Sequence, residues 1–417
     1  MATRTVADID VKGRTVLMRV DFNVPVKGGK VTNDRRIVQA LPTIKRVLDQ
    51  GARLVLMTHL GRPAEKGFEA EFSVRPAAER LAELLGRPVR LGPPEVAGPE
   101  ADAMVAALAP GDVLLLENLR FDPGETIADK AKKNPDKKLT PEQQQKLDDF
   151  VGRLARLGDV YVNDAFGTCH RKHASMYGVA RAIQARGGPA VAGFLVEKEI
   201  KYLHDAVSDP KRPFVAVLGG AKVSDKIKLI SNLLDRVDRI LVGGAMAYTL
   251  LRARGIATGR SLVEADQVEE MKGLLARAGD RILLPVDHVA TTDFAAGAPV
   301  AVPTASIPDD LLGMDIGPGT VALFAREIGQ AGTIVWNGPM GVFERAEYAA
   351  GTRAVALAVA DATSRGAVSV IGGGDSAAAV EEMGLADRMT HISTGGGASL
   401  EYLEGRAMPP IEVLDKA

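Results

Sequence analysis

A single cysteine, Cys169, stands in a chain of 417 residues, so no intrachain disulfide can form, which fits a reducing compartment. No apolar run approaches the roughly 18 residues that a membrane span needs. The stretch Met1-Ala2-Thr3-Arg4, followed by Asp8 and Asp10, carries no apolar signal core. A cytoplasmic protein with no membrane partner is therefore expected. Neither sign of charge is in excess, and a formal net charge of −1 excludes a nucleic-acid binder that relies on a global basic field. Local clusters of Arg and Lys, which small anionic substrates need, remain open. Several familiar motifs are also missing. No Gly-x-x-x-x-Gly-Lys-Ser/Thr run exists, which excludes a P-loop enzyme. There is no His-Arg-Asp catalytic loop, and Asp21-Phe22-Asn23 is not the Asp-Phe-Gly of protein kinases. The Gly-x-Gly-x-x-Gly fingerprint with its downstream acid is absent after the first apolar run, which argues against an NAD-dependent oxidoreductase. The six histidines and one cysteine give no zinc spacing, and His170 and His173, lacking a second ligand pair, read as anion-binding or packing residues. No repeat recurs at a period of 20–50 residues.

What is present is an ordinary globular composition, 46% hydrophobic and 25% charged, in a chain long enough for two domains of roughly 150–200 residues. Short β-type apolar runs alternate with Ala/Leu-rich amphipathic stretches. The runs are Thr15–Val20, Leu54–Met57, Val113–Leu116, Val160–Val162, Phe214–Leu218, Ile240–Val242, Ile282–Val286, Thr333–Trp336 and Val368–Ile371. Candidate helices span 36–50, 75–86, 224–235, 264–279, 320–330 and 348–365. Continuous apolar runs suit strands buried on both faces, and their alternation with helices predicts parallel βαβ units in two doubly wound α/β domains. Arg186-Gly187-Gly188-Pro189 is a breaker cluster ahead of a polar helical stretch, Glu197 to His204, that is a candidate for joining the halves. Residues 123–149 are rich in Lys, Asp, Glu and Gln. They read either as a binding arm or as a solvated excursion or charged surface helix, and their mixed signs favour the second.

Polar and glycine clusters follow the apolar runs directly, and in an open parallel sheet ligands bind outside the carboxyl ends of the strands. In the first half, Val20 leads into Asp21-Phe22-Asn23, Met57 into His59-Leu60-Gly61-Arg62, Leu116 into Arg120, and Val162 into His170-Arg171, with Arg36 close behind the first loop. Each arginine alone is an ordinary surface side chain. Several at equivalent strand ends repel one another unless an anion offsets them, and the guanidinium fork matches carboxylate and phosphate oxygens. The first half thus reads as a site for a small polyanion, where Asp21 and Asn23 accept from hydroxyls, orient arginines or cap a turn. The second half places Gly219-Gly220-Ala221-Lys222, Lys226, Gly243-Gly244, Asn337-Gly338-Pro339, Gly372-Gly373-Gly374-Asp375-Ser376 and Gly395-Gly396-Gly397 at its strand ends. Glycine lets backbone amides approach an anion closely, so several such loops with two lysines suggest a nucleotide triphosphate site, with Asp375 a reasonable Mg ligand.

These segments resemble the phosphoglycerate kinase family. Arg19-Val20-Asp21-Phe22-Asn23-Val24-Pro25 is similar to its signature, and ordered matches run to Ser393-Thr394-Gly395-Gly396-Gly397-Ala398-Ser399. The resemblance implies two Rossmann-like domains separated by a cleft and joined by a hinge helix. Residues 1–188 with 402–417 would bind 3-phosphoglycerate and 189–401 would bind Mg-nucleotide, ATP or ADP. It further implies that Asp21, Asn23, Arg36, His59, Arg62, Arg120 and Arg171 hold the phosphoglycerate, and that Lys222 and Lys226 hold nucleotide phosphates. Gly313 and Glu344 would face the adenosine. Asn337, Gly373, Gly374 and Ser376 would line the phosphates, with Asp375 on Mg. Gly395 and Gly396 would offer amides to the moving group, beside Arg36, Lys222 and Lys226 as the catalytic set. Family members are commonly monomeric, acting on small molecules alone. The chain departs from the family pattern in having Ser376 where Thr is frequent, Ala245 where a third Gly is frequent, and an extended 123–149 stretch.

The chemistry implied needs no general base, because a carboxylate nucleophile with a pKa near ~4 is already ionised at neutral pH. Placing the reactants in line and stabilising charge on the PO3 group remain. A non-catalytic scaffold on this fold would be expected to have lost some of these charged groups, and all of them are present.

Overall fold

A computed structural model describes residues 3–134 and 136–417; Met1 and Ala2 of the amino-terminal stretch, and Pro135 of the polar segment, lie outside the described residues. The chain forms two compact units, one of Met1–Ile200 with Ala407–Ala417, the other of Lys201–Arg406. The expected seams lay at 188/189 and 401/402. The breaker cluster at 186–189 proves to be the turn into a further strand of the first unit.

The first unit is built on a six-stranded parallel sheet. In chain order its strands are β1 (Thr15–Val20), then, after an exposed hairpin of β2 (Val26–Lys27) and β3 (Lys30–Val31), β4 (Arg53–Met57), β5 (Val89–Leu91), β6 (Val113–Leu115), β7 (Val160–Asp164) and β8 (Ala190–Ala192). They lie in the order β5-β6-β4-β1-β7-β8. Every residue of β1 is buried, as a central strand covered on both faces requires. The helix Arg35–Asp49 buries Ile37, Ala40, Ile44, Val47 and Leu48, a stripe at helical spacing, and turns Pro42 outward. Within the polar segment, Thr140 and Gln143 form a capping box that starts the helix Pro141–Ala155. That helix buries Phe150, Leu154 and Ala155 and leaves most of its charged residues exposed, so the surface-helix reading holds for this part.

The second unit contains β9 (Phe214–Leu218), β10 (Arg239–Val242), β11 (Ile282–Leu283), β12 (His288–Thr291), β13 (Val300–Val302), β14 (Leu312–Ile316), β15 (Thr333–Asn337), β16 (Val368–Gly372) and β17 (His391–Ile392). Six of them form a parallel sheet in the order β11-β10-β9-β15-β16-β17, a doubly wound arrangement whose direction of winding reverses between β9 and β15. The other three form a small antiparallel sheet in the order β13-β12-β14. Trp336 is fully buried among the core residues of this unit and donates its indole N–H to Gly338 O at 2.8 Å, which satisfies the ring's single polar atom.

The helix Phe194–Ser208 runs from the first unit into the second. Its start is held by Asp164, whose Oδ1 accepts from the amides of Leu195 (2.9 Å) and Val196 (3.4 Å), and by Thr43 Oγ1, which accepts from Phe194 N at 2.9 Å. In its second half, Tyr202 stacks on His391 with ring centroids 4.8 Å apart.

Candidate active site

In the first unit, the loops after β1, β4, β6 and β7 bring the predicted residues to one sheet edge. Asp21, which ends the run out of β1, accepts from Arg36 Nη1 at 2.5 Å, and the first turn of Arg35–Asp49 sets that guanidinium in place. Asn23 Oδ1 accepts from Gly61 N at 2.9 Å, so the first loop is tied to the loop after β4. The left-handed backbone of Gly61, φ +62°, turns this second loop, and an added Cβ would meet the Phe72 ring at 2.6 Å. Arg120 Nη1 donates to Gly61 O at 2.6 Å, which draws the third loop in. Asn118 holds that loop through donation to Leu60 O (2.7 Å) and Phe72 O (2.9 Å).

His59 is buried against Arg19, whose Nη2 lies 3.1 Å from the ring Nδ1. Burial first, then the positive charges of Arg19 and Arg120, His173, and Arg36, push the His59 pKa well below its ordinary value. Arg120 is likewise pushed down by burial, then by Arg19, with Arg171 and Arg62 adding to the repulsion. The site therefore gathers several cations around His59, with Glu125 acting against their mutual repulsion at Arg120. The Nε of Arg120 is buried without a hydrogen-bond partner among the described residues, and Arg62 is exposed. A dianion placed here would satisfy both the orphan donor and the repulsion.

Arg171 is fixed at two points, by Nε donation to His170 Nε2 (2.9 Å) and by Nη1 to Asp129 Oδ2 (3.1 Å). Beneath the site runs a buried polar network that the sequence did not reveal. Glu125 accepts from Ser175 N (3.0 Å) and Oγ (2.7 Å), and Ser175 Oγ accepts from Arg19 Nε at 2.9 Å. Arg19 belongs to the signature segment, but Glu125, Ser175 and Asp129 had no local signal, because their partners lie 42–156 positions away in the chain.

The second unit assembles its glycine loops at the reversal between β9 and β15. Gly219 N donates to Asn337 O (2.9 Å), Gly220 N to Pro339 O (3.1 Å), and Gly244 N to Met340 O (2.8 Å). These backbones approach so closely that a Cβ on Gly219 would lie 2.0 Å from Pro339 O. Lys226 turns back over this crossing and donates to Asn337 Oδ1, and burial lowers its pKa to about 8. Asn337 Nδ2 is buried and unpartnered among the described residues. It faces Gly373, φ +87°, where a Cβ would come within 2.8 Å of that nitrogen. An orphan donor beside a glycine without room for a side chain leaves space and a hydrogen-bond donor that a phosphate oxygen would suit.

The remaining predicted residues divide. Lys222 is exposed on the loop after β9, and Gly374 and Asp375 are exposed at the start of the helix Gly374–Glu382. Asp375 lies near enough to Lys226 to raise its pKa, against the larger effect of burial. One or two carboxylates suffice for Mg bound with phosphates, so Asp375 fits the metal expected of it. Ser376 is fully buried and its Oγ accepts from Gly338 N at 2.6 Å, so its hydroxyl joins two loops. Gly313 lies on β14 and exposed Glu344 on a neighbouring loop that is tied to that strand by Val342 N donating to Met314 O at 2.9 Å. Gly395 N donates to Ser393 Oγ at 3.0 Å, so its amide is engaged rather than free, whereas Gly396, φ +50°, opens the helix Gly397–Leu403.

Comparison with known proteins gives one answer. The family model described as Phosphoglycerate kinase matches residues 6–406. The chain is 52% identical over 411 residues to a phosphoglycerate kinase of Lactobacillus gasseri, covering 99% of this chain and 98% of the relative. It is 52% identical over 421 residues to that of Rhodopirellula baltica, covering 100% of both. The solved phosphoglycerate kinase of Coxiella burnetii superposes with a TM-score of 0.84 at 39% identity, covering 99% of this chain and 98% of that one.

Proposed function

Since the chain belongs to the phosphoglycerate kinase family, we propose a division of labour among its residues for that family's reaction. The activity itself is that of a phosphotransferase with a carboxyl group as acceptor, reversibly moving a phosphoryl group between 1,3-bisphosphoglycerate and ADP to give 3-phosphoglycerate and ATP. The observation that carries the residue assignment is the cation cluster around His59, whose buried Arg120 Nε lacks a partner among the described residues.

In this reading Arg62, Arg120 and Arg171 bind the anionic groups of phosphoglycerate, His59 donates a hydrogen bond, and Asp21 and Asn23 orient Arg36 and the Gly61 loop. Lys222 and Lys226, with the Asn337 side chain and the Gly373 and Gly374 amides, hold the nucleotide phosphates. Gly313 and Glu344 stand at the adenosine end. Asp375 would hold Mg, which neutralises charge on phosphate oxygens when it is bound with the nucleotide. Arg36, the two lysines and the Gly396 amide stabilise the PO3 group in flight. Gly395 joins them only if its bond to Ser393 opens.

In-line transfer demands that the two ligands meet and that water be excluded from the acyl phosphate, so the units close when both ligands are bound, with 187–210 as the hinge. Small-angle scattering that detects no compaction on adding both ligands would count against closure. We also read the protein as a cytoplasmic monomer without a nucleic-acid partner. The net charge of −1 supports the last point, and no helix among the described residues is long and apolar enough to cross a membrane. The decisive test is a coupled assay with ATP, Mg and 3-phosphoglycerate. Turnover supports the assignment, and a pure, folded protein without turnover overturns it.

A further inference from the structure

The polar segment 123–149, to which neither composition nor resemblance gives a role, supplies one residue to the anion site. Its first part is anchored from below. Glu125 is fully buried on Ser175, Ala174 N donates to Glu125 O at 3.0 Å, and Ile127 is buried. From that platform the short helix Ile127–Lys133 exposes Lys130, Lys132 and Lys133 and turns Asp129 toward the loop after β7. There Asp129 Oδ2 accepts from Arg171 Nη1 at 3.1 Å and lies 3.1 Å from His173 Nε2, while Oδ1 is 3.8 Å from Lys132 Nζ. The guanidinium of Arg171 is thus held by the Asp129 carboxylate and by His170, and among the described residues these take two of its five N–H donors.

We propose that Asp129 is a positioning residue for Arg171, holding that guanidinium pre-oriented toward the anionic substrate. The proposal rests on Arg171 binding phosphoglycerate. Two effects of the carboxylate oppose one another. Its negative charge repels an incoming anion, yet Asp129 is about a third exposed, so water screens that repulsion. Its hydrogen bond removes the rotational freedom of a long side chain, which otherwise has to be frozen when substrate binds. The second effect wins, because the cations Arg171 and Lys132 offset the carboxylate's charge, while a pKa held at about 2, chiefly by the hydrogen bond with His173, keeps the carboxylate ionised and bonded to Arg171 at neutral pH.

The test is steady-state kinetics of the full-length enzyme with Asp129→Ala, Asp129→Asn, Arg171→Ala and the double variant Asp129→Ala/Arg171→Ala. Asp129→Ala is expected to raise KM for 3-phosphoglycerate roughly 3- to 10-fold, the immobilisation cost of one long side chain, with kcat and the KM for ATP nearly unchanged. Asp129→Asn, which keeps an acceptor, should lose less. In the Arg171→Ala background the Asp129 change should add nothing, as residues acting through one another are not additive. A KM that falls or holds in Asp129→Ala overturns the proposal, and so does full additivity in the double variant. An Arg171→Ala enzyme with unchanged KM instead overturns the assignment of Arg171 on which the proposal rests. Far-ultraviolet circular dichroism and melting of each variant separate these outcomes from loss of folding.

Discussion

Arg19 donates through Nη2 to Nδ1 of His59 at 3.1 Å, and because a guanidinium only donates, the neutral imidazole carries its proton on Nε2. A buried arginine in the signature segment therefore selects the tautomer of a histidine in the candidate site and leaves it a donor on its other nitrogen. It also opposes protonation of the ring, together with burial, which contributes more.

His59 should accordingly remain neutral, as the Nε2–H tautomer, well below the pH at which an ordinary histidine titrates, near ~6.5. In the unfolded chain it gains a proton that the native state refuses, so its contribution makes stability fall as pH drops below about 6.5. Nitrogen-15 spectra of the histidine side chains check this. A His59 signal that titrates at the ordinary value, or shows the proton on Nδ1, contradicts it.

Lys226, lowered to about 8 chiefly by burial, is only partly protonated in mildly alkaline solution before a nucleotide arrives. In the proposed assignment its charged form is the one that binds phosphate. We expect kcat/KM for the nucleotide to decline as pH rises through about 8, with kcat less affected because bound phosphates favour the ammonium. Lys226→Arg, always charged, should flatten the profile even if its maximum is lower. A profile of unchanged shape in that variant would assign the decline elsewhere.

Arg36 approaches Asp21 at 2.5 Å and is about one-third exposed, so it is oriented yet able to reach a ligand. Arg36→Ala should lower kcat by roughly 10³-fold, the scale of arginines that stabilise transferring phosphoryl groups, while KM for 3-phosphoglycerate changes far less. A variant with raised KM and intact kcat would make Arg36 a substrate-binding residue only.

Glu125, fully buried, supports Arg19 through Ser175. Glu125→Ala leaves the buried amide and hydroxyl of Ser175 without their acceptor and should cost about 1–3 kcal/mol of stability, measured by urea denaturation; Glu125→Gln, which can still accept from Ser175, should cost less. A loss below ~0.5 kcal/mol in the alanine variant would show that water replaces the carboxylate as acceptor.

The legible parts of the fold were those with continuous apolar runs. Thr15–Val20 and Phe214–Leu218 were read to the residue, because strands covered on both faces must be apolar throughout. Ile282–Val286 was read too long: the strand covers only Ile282–Leu283, and Pro285 just beyond it has no N–H for a ladder. The three-residue strands Val89–Leu91 and Ala190–Ala192 and the antiparallel sheet of β12, β13 and β14 went unread, being too short or too polar to show a period. At the candidate site, the residues that the sequence puts forward are those within motifs at strand ends. The exposed mixed-charge appearance of 123–149 hid Glu125 and Asp129, whose partners come from distant loops.

By itself, the sequence determined the alternation of strands and helices, the placement of arginines and glycines at strand ends, and the family. These follow from local pattern: burial on two faces demands apolar runs, and anion sites demand donors and small residues. Only the tertiary structure decided which cations would share a site, which nitrogen of His59 bears its proton, that Ser376 and the Gly395 amide are engaged within the protein, and that Asp129 reaches Arg171. Each of these depends on hydrogen bonds and charges brought within a few ångströms by the folded sheet, a distance that separation along the chain does not encode.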